Sequence, residues 1–197
     1  YILPMVNPDG VAISQFGVDG AKQDGTKIWL ESCKAFGQNL SQIKANANGV
    51  DLNRNFPLGF GLGHKVSTVP SLYYYSGAAP FSEVETLAIA TLLEQYNFVS
   101  CINYHSMGNV IYYGAATNSP EVNASCKNMA TLVSSINGYR TAYCGNAIGS
   151  FADYFGFVEA VPSITIEIGT ANPVPISQFE NIYNRNVNVW AIIGSMY

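Results

Sequence analysis

Charge is scarce in this chain. Only 11% of its 197 residues are Asp, Glu, Lys or Arg, and nine basic residues against thirteen acidic ones leave a formal net charge of −4. No basic stripe exists to track a phosphate backbone, which argues against nucleic acid as a partner. Long apolar runs are missing too: no stretch approaches the ~18–20 residues that a membrane-crossing helix needs. Histidine is limited to His64 and His105, and the four cysteines (Cys33, Cys101, Cys126, Cys144) form no C-x-x-C pair. That spacing excludes a dense disulfide framework and a cysteine-based zinc cluster. The first ten residues lack a basic n-region and a cleavage site, so they are not an intact signal peptide.

What is present is apolar and aromatic. Hydrophobic residues make up 48% of the chain, enough for one domain over residues 1–197 with a sizeable core. Thirteen tyrosines and few lysines fit an extracellular or cell-wall-associated setting. Ile2–Val6 reads as a buried strand and Asn7-Pro8-Asp9-Gly10 as the turn that closes it. From Gly17 to Gly63 periodicity fades, which predicts a long loop, functional or disordered. Ser82 with Glu85 reads as a capping box for a helix reaching about Tyr96, with Val84, Leu87, Ala88 and Leu92 as its apolar face. Phe98–Tyr104, Val110–Tyr113, Tyr139–Tyr143 and the β-branched Ser163–Ile168 read as strands. Helices are predicted from Ser119-Pro120 to a stop at Gly138, over Ser150–Phe157, and from about Ile176 onward with Phe179, Ile182, Val187 and Ile192 inward. This alternation predicts an α/β fold, an α/β/α sandwich around a mixed twisted sheet.

Three polar residues stand where a core-forming pattern does not call for them. His105 follows an apolar strand, Glu167 interrupts Ile164-Thr165-Ile166-Glu167-Ile168, and Arg54 is flanked by Asn53 and Asn55. Ligands of open α/β sheets bind beyond the carboxyl ends of strands, so His105 and Glu167 could share a site. Imidazole suits Zn²⁺, a nearby carboxylate can take a proton from water, and a guanidinium anchors a carboxylate through two bonds. Each residue also has a plain reading: a hydrogen-bonded structural His, a Glu turned outward from an edge, an Arg in a solvated turn.

Taken in order, the motifs resemble the zinc carboxypeptidase family along most of the chain. They are Asn7-Pro8-Asp9-Gly10, Gly49-Val50-Asp51-Leu52-Asn53-Arg54-Asn55-Phe56, Tyr75-Ser76-Gly77 with Pro80-Phe81-Ser82-Glu83-Val84-Glu85-Thr86, Tyr104-His105-Ser106, Gly149-Ser150 with Asp153-Tyr154, and Thr165-Ile166-Glu167. The resemblance implies that His105 is a zinc ligand and that Ser106 contacts the substrate backbone. It further implies that Asn53 and Arg54 hold the substrate carboxylate. Glu167 would then deprotonate metal-activated water and protonate the leaving amine, and Lys44 would stabilise the oxyanion where the family commonly has Arg. Tyr143 falls near the tyrosine that closes over substrate, with a spacing to Gly149-Ser150 one residue longer than the family's. Phe56-Pro57 and Val110-Ile111-Tyr112-Tyr113 resemble the bacterial branch that cleaves γ-D-glutamyl–diamino acid bonds of cell-wall peptides.

The family's His-x-x-Glu motif lies several dozen residues ahead of the Asn-Pro-Asp-Gly turn, and six residues precede that turn here. The resemblance therefore leads us to expect missing N-terminal strands, zinc held weakly or not at all, an inactive chain as given, and association of copies through the apolar surface left open. Two functions fit: a zinc peptidase acting on a peptide or peptidoglycan-derived substrate with a free carboxylate, or a binding module that keeps the Asn53–Arg54 grip without chemistry. A serine hydrolase is disfavoured, because there is no G-x-S-x-G elbow.

Overall fold

The computed structural model describes residues 1–146 and 148–196, which fall into two compact units. The first comprises residues 1–95 and 148–151, the second residues 96–146 and 152–196.

In the first unit the chain opens without a strand. Ile2–Val6 is irregular and exposed, contrary to the strand its composition predicts. No strand of the described sheet pairs with it, and an apolar run acquires β structure only when its backbone groups find partners. Asn7-Pro8-Asp9-Gly10 starts a helix and is not a closing turn. The Asn7 side chain accepts from the Gly10 N–H at 2.9 Å, Pro8 sits at the first helical position, and α1 runs Pro8–Phe16. The supposed long loop contains a second helix, α2 (Asp24–Ala35), and short 3-10 turns at Leu40–Gln42 and Leu52–Arg54. Ile13, Leu30, Cys33, Leu40 and Leu72 bury one core beneath them.

Helix α3 covers Val84–Gln95 and begins without the expected capping box. Ser82 Oγ is engaged elsewhere, donating to Glu83 at 2.7 Å and accepting from Asn55 Nδ2 at 2.9 Å. The buried face is also rotated from the predicted one: Thr86, Ile89 and Leu93 point inward while Val84 and Leu87 are exposed. Asn55 sets this rotation, because its Oδ1 accepts the Thr86 hydroxyl at 2.6 Å and draws that side of the helix in.

The second unit is built on four strands, β1 (Cys101–Ser106), β2 (Val110–Ala115), β3 (Arg140–Gly145) and β4 (Ser163–Ile168), in the order β1-β4-β2-β3. The pairs β1–β4 and β2–β3 are parallel and β2–β4 is antiparallel, so the sheet is mixed, as the sequence predicts. Helix α4 (Pro120–Asn137) has Ser119 as its N-cap and a left-handed Gly138 at its end. It lays Met129, Ala130 and Val133 over Ile111, Ile164 and Ile166. Each large apolar side chain buried there contributes ~1.5–3 kcal/mol. Helix α5 covers Phe151–Val158.

The final helical segment is broken into a 3-10 turn (Ile176–Gln178), α6 (Phe179–Asn186) and α7 (Val189–Gly194). Phe179 and Val187, predicted inward, are exposed; Val189, Ile193 and the polar Asn186 take the buried places. Asn186 is drawn inward by hydrogen bonds from Asn137 Nδ2 to its Oδ1 (3.2 Å) and from its own Nδ2 to the Tyr139 hydroxyl (3.3 Å). No described helix is long and apolar enough to cross a membrane.

Candidate active site

In the second unit, His105 and Glu167 are opposite one another on adjacent parallel strands. Alternation along the strands puts Ile102, Tyr104, Ile164 and Ile166 against the α4 core, and hence Asn103, His105, Thr165 and Glu167 on the other face. Asn103 ties the two strands together there, donating to Ile164 O at 3.2 Å and to Ser163 Oγ at 3.4 Å. Gly108 adjoins the same place: a Cβ on it would lie 4.0 Å from Glu167 Cβ. Ser106 closes β1 opposite Ile168. Tyr143 lies on the far edge strand, half exposed, its ring edge-on to Tyr113 at 5.9 Å. The structure thus brings His105 and Glu167 together and leaves Tyr143 two strands from Glu167.

The first unit holds Lys44, Asn53 and Arg54. The 3-10 turn Leu52–Arg54 follows Asp51, whose carbonyl accepts the Arg54 N–H at 2.9 Å. Arg54 is only 9% exposed. Its Nε lies 3.7 Å from Asp51 Oδ2, its Nη1 donates to Leu62 O at 3.3 Å, and its guanidinium carbon stands 5.0 Å from the centre of the Tyr74 ring. Asn53 Oδ1 accepts the Phe151 N–H at 3.0 Å, and its Nδ2 has no protein partner among the described residues. Lys44 is exposed, with its backbone N–H on Leu72 O at 2.8 Å. Burial pushes the Asp51 carboxyl above its ordinary range, against the pull of the Tyr74 N–H and the charges of Lys44 and Arg54.

Behind this turn stand residues that sequence reasoning missed. Asn55 is fully buried and donates to Ser76 O (2.7 Å) and Ala79 O (3.1 Å). Asn46 and Asn48 both donate to the buried Glu83, at 2.7 and 2.8 Å. The density of Asn around the Gly49 motif was the available signal; its meaning depends on partners some thirty residues away.

The second unit thus carries a His–Glu pair on one face of a mixed sheet, and the first unit carries an Asn–Arg turn. Residues 1–189 match the zinc carboxypeptidase family, and the chain belongs to it. It is 33% identical over 191 residues to a γ-D-glutamyl-L-diamino acid endopeptidase of Lysinibacillus sphaericus, an alignment covering 96% of this chain and 47% of that protein. It is 32% identical over 193 residues to YqgT of Bacillus subtilis, covering 95% and 50% respectively. The chain thus spans about half the length of these curated relatives. The fold matches carboxypeptidase A of Helicoverpa armigera with a TM-score of 0.64 at 22% identity, over 98% of this chain and 49% of that one. It also matches murein-tripeptide amidase MpaA of Escherichia coli O157 with a TM-score of 0.53 at 23% identity, over 75% and 59%.

The family is zinc-dependent, so its ion is tested against the residues present. Among the described residues no three His, Cys, Asp or Glu side chains gather to hold a metal. A catalytic zinc takes three protein ligands and a water. The described residues, with His105 as the one candidate imidazole in the sheet, do not fit that ion by themselves.

Proposed function

We propose that this chain serves hydrolysis of a peptide bond in a peptide or cell-wall peptide bearing a free carboxylate, at or outside the cell surface. Asn53 and Arg54 hold the carboxylate, and Lys44 faces the oxyanion. Ser106 contacts the substrate backbone, and Tyr143 is the aromatic that meets bound substrate. Glu167 takes a proton from the attacking water and returns it to the leaving amine. The likeness to the L. sphaericus endopeptidase supports a γ-D-glutamyl–diamino acid bond as the one cleaved. The observation that carries the reading is the Asp51–Arg54 turn: a guanidinium fixed on one edge by Asp51 and Leu62 O, beside an Asn whose Nδ2 is left for a ligand.

Calorimetry with a γ-D-glutamyl–diamino acid peptide as its free acid and as its amide tests this. The acid should bind and the amide should not, and Arg54→Gln should weaken the acid at least ~tenfold, about 1.4 kcal/mol. Equal affinity of acid and amide would falsify the carboxylate assignment. One observation favours the binding-module reading, namely that the described residues gather no three-ligand metal set. Metal content after dialysis bears on it: we expect less than stoichiometric zinc, and one tightly held zinc per chain would exclude it. Association of copies belongs to the same proposal, through the exposed Phe179 and Tyr183 of α6, Val187 between the helices and Trp190 of α7. A strictly monomeric scattering profile would count against that part.

A further inference from the structure

The chain is net negative, yet three of its nine cations gather in one part of the first unit. Arg54 and Lys65 address the same ring: the Lys65 Nζ stands 5.8 Å from the Tyr74 centre and the Arg54 carbon 5.0 Å. Lys44 and Arg54 both act on Asp51, whose side chain also accepts the Tyr74 N–H at 3.2 Å. Asp51 lies 3.7 Å from Arg54 Nε, and among the described residues neither Lys44 nor Lys65 forms a close ion pair. A cluster of three cations against one buried carboxylate has positive charge left over.

The placement of Lys65 is built by its loop. Two tight turns, Phe60 N–H to Pro57 O (3.1 Å) and Leu62 N–H to Gly59 O (3.0 Å), fold residues 57–62 back on themselves. Gly63 then passes so close to Arg54 that a Cβ on it would lie 2.7 Å from Nη1. Two residues after Lys65 the loop is fixed again, by Ser67 N–H to Tyr74 O at 3.0 Å. The backbone is therefore fixed on both sides of Lys65, whose ammonium lies over the Tyr74 ring. Arg54 has Nε and Nη1 engaged, which leaves it one side for a single carboxylate. A second anion must be met by another cation.

We propose that Lys65 is a specificity-determining residue that binds a second carboxylate, so that the ligand class is a peptide end carrying two carboxylates within one residue's length. The proposal rests on the reading that Arg54 binds the first. Tyr74 is the ring that both cations approach, and the peptide's second acidic group replaces the counter-ion that Lys65 lacks in the protein. A peptide ending in a neutral residue uses Arg54 alone.

Calorimetry on the whole chain with acetyl-Ala-Ala and acetyl-Ala-Glu, both free acids, reads this directly, with melting by circular dichroism to confirm folded variants. The two-carboxylate peptide should bind about tenfold tighter. Lys65→Gln should erase that preference and leave acetyl-Ala-Ala unchanged, while Lys65→Arg keeps it. No preference in the unsubstituted chain, or equal weakening of both peptides by Lys65→Gln, overturns the proposal. If neither peptide binds, or if Arg54→Gln leaves acetyl-Ala-Ala binding intact, the Arg54 reading fails and this proposal with it. Loss of the preference alone, with Arg54→Gln still abolishing binding, removes only Lys65.

Discussion

His105 and Glu167 are direct register partners on the parallel strands β1 and β4, one residue from the carboxyl end of each. An imidazole and a carboxylate are thereby fixed by backbone hydrogen bonding instead of by flexible loops, which suits a group that must meet a substrate with fixed geometry.

Glu167→Gln keeps the size and the strand position and removes the proton acceptor. Whatever hydrolysis of a γ-D-glutamyl–diamino acid peptide added zinc restores at high protein concentration, followed by chromatography and mass spectrometry, should fall by ~10²–10⁴-fold. The melting temperature should stay close to that of the unsubstituted chain. Undiminished product from the variant would remove Glu167 from the base role.

Glu83 gives a pH dependence with a defined sign. Burial alone would raise its carboxyl, but hydrogen bonds from Asn46, Asn48 and Ser82 together outweigh that and hold it below its ordinary value of 4.5. A carboxyl lowered in the folded state adds stability that is fully present above its unfolded value and is lost as pH falls through the folded one. Urea midpoints should therefore be flat near neutral pH and drop in the acid range below about 4.3. In Glu83→Gln that acid drop should be visibly smaller; an identical acid profile would show that this network is not the linked group.

Helix α4 tests the local signals. Ser119 Oγ accepts the Val122 N–H at 3.3 Å, and Gly138 ends the helix in a left-handed conformation. Ser119→Ala should cost ~1 kcal/mol and lower the melting temperature by ~2–4 °C. A melting temperature unchanged within error would mean that the cap adds nothing.

That helix was legible because its start, its apolar spacing and its stop are all written within twenty residues, and β4 was legible for the same reason. Helix α1 was misread because Asn-Pro-Asp-Gly encodes a turn and a capped helix start equally well; the Asn7 side chain decides it, aided by Ala45 O 38 residues on. The face of α3 was inverted because hydrophobicity favours Val84 and Leu87, while Asn55 holds Thr86 inward from 31 residues away. At the candidate site, Arg54, His105 and Glu167 stood out as polar residues against pattern, and Asn53 came in through the family resemblance. Asp51, Tyr74 and Lys65 did not, since their importance lies in distances to Arg54 or to one another's rings that no local period records.

Two glycines of one loop separate a steric requirement at Arg54 from backbone strain. Gly61 and Gly63 both have positive φ, 72° and 136°, so Ala at either strains the chain. Their surroundings differ. A Cβ at Gly61 meets nothing within 4 Å, whereas one at Gly63 would stand 2.7 Å from Arg54 Nη1 and force the guanidinium or the loop to shift. Gly61→Ala should thus cost ~1 kcal/mol of stability and leave affinity for a free-acid peptide unchanged. Gly63→Ala should weaken that affinity by about tenfold or more, because the fork of Arg54 no longer sits in its fixed position. Equal affinities for the two variants, measured by calorimetry on folded protein, would show that carboxylate binding does not depend on how this loop holds Arg54.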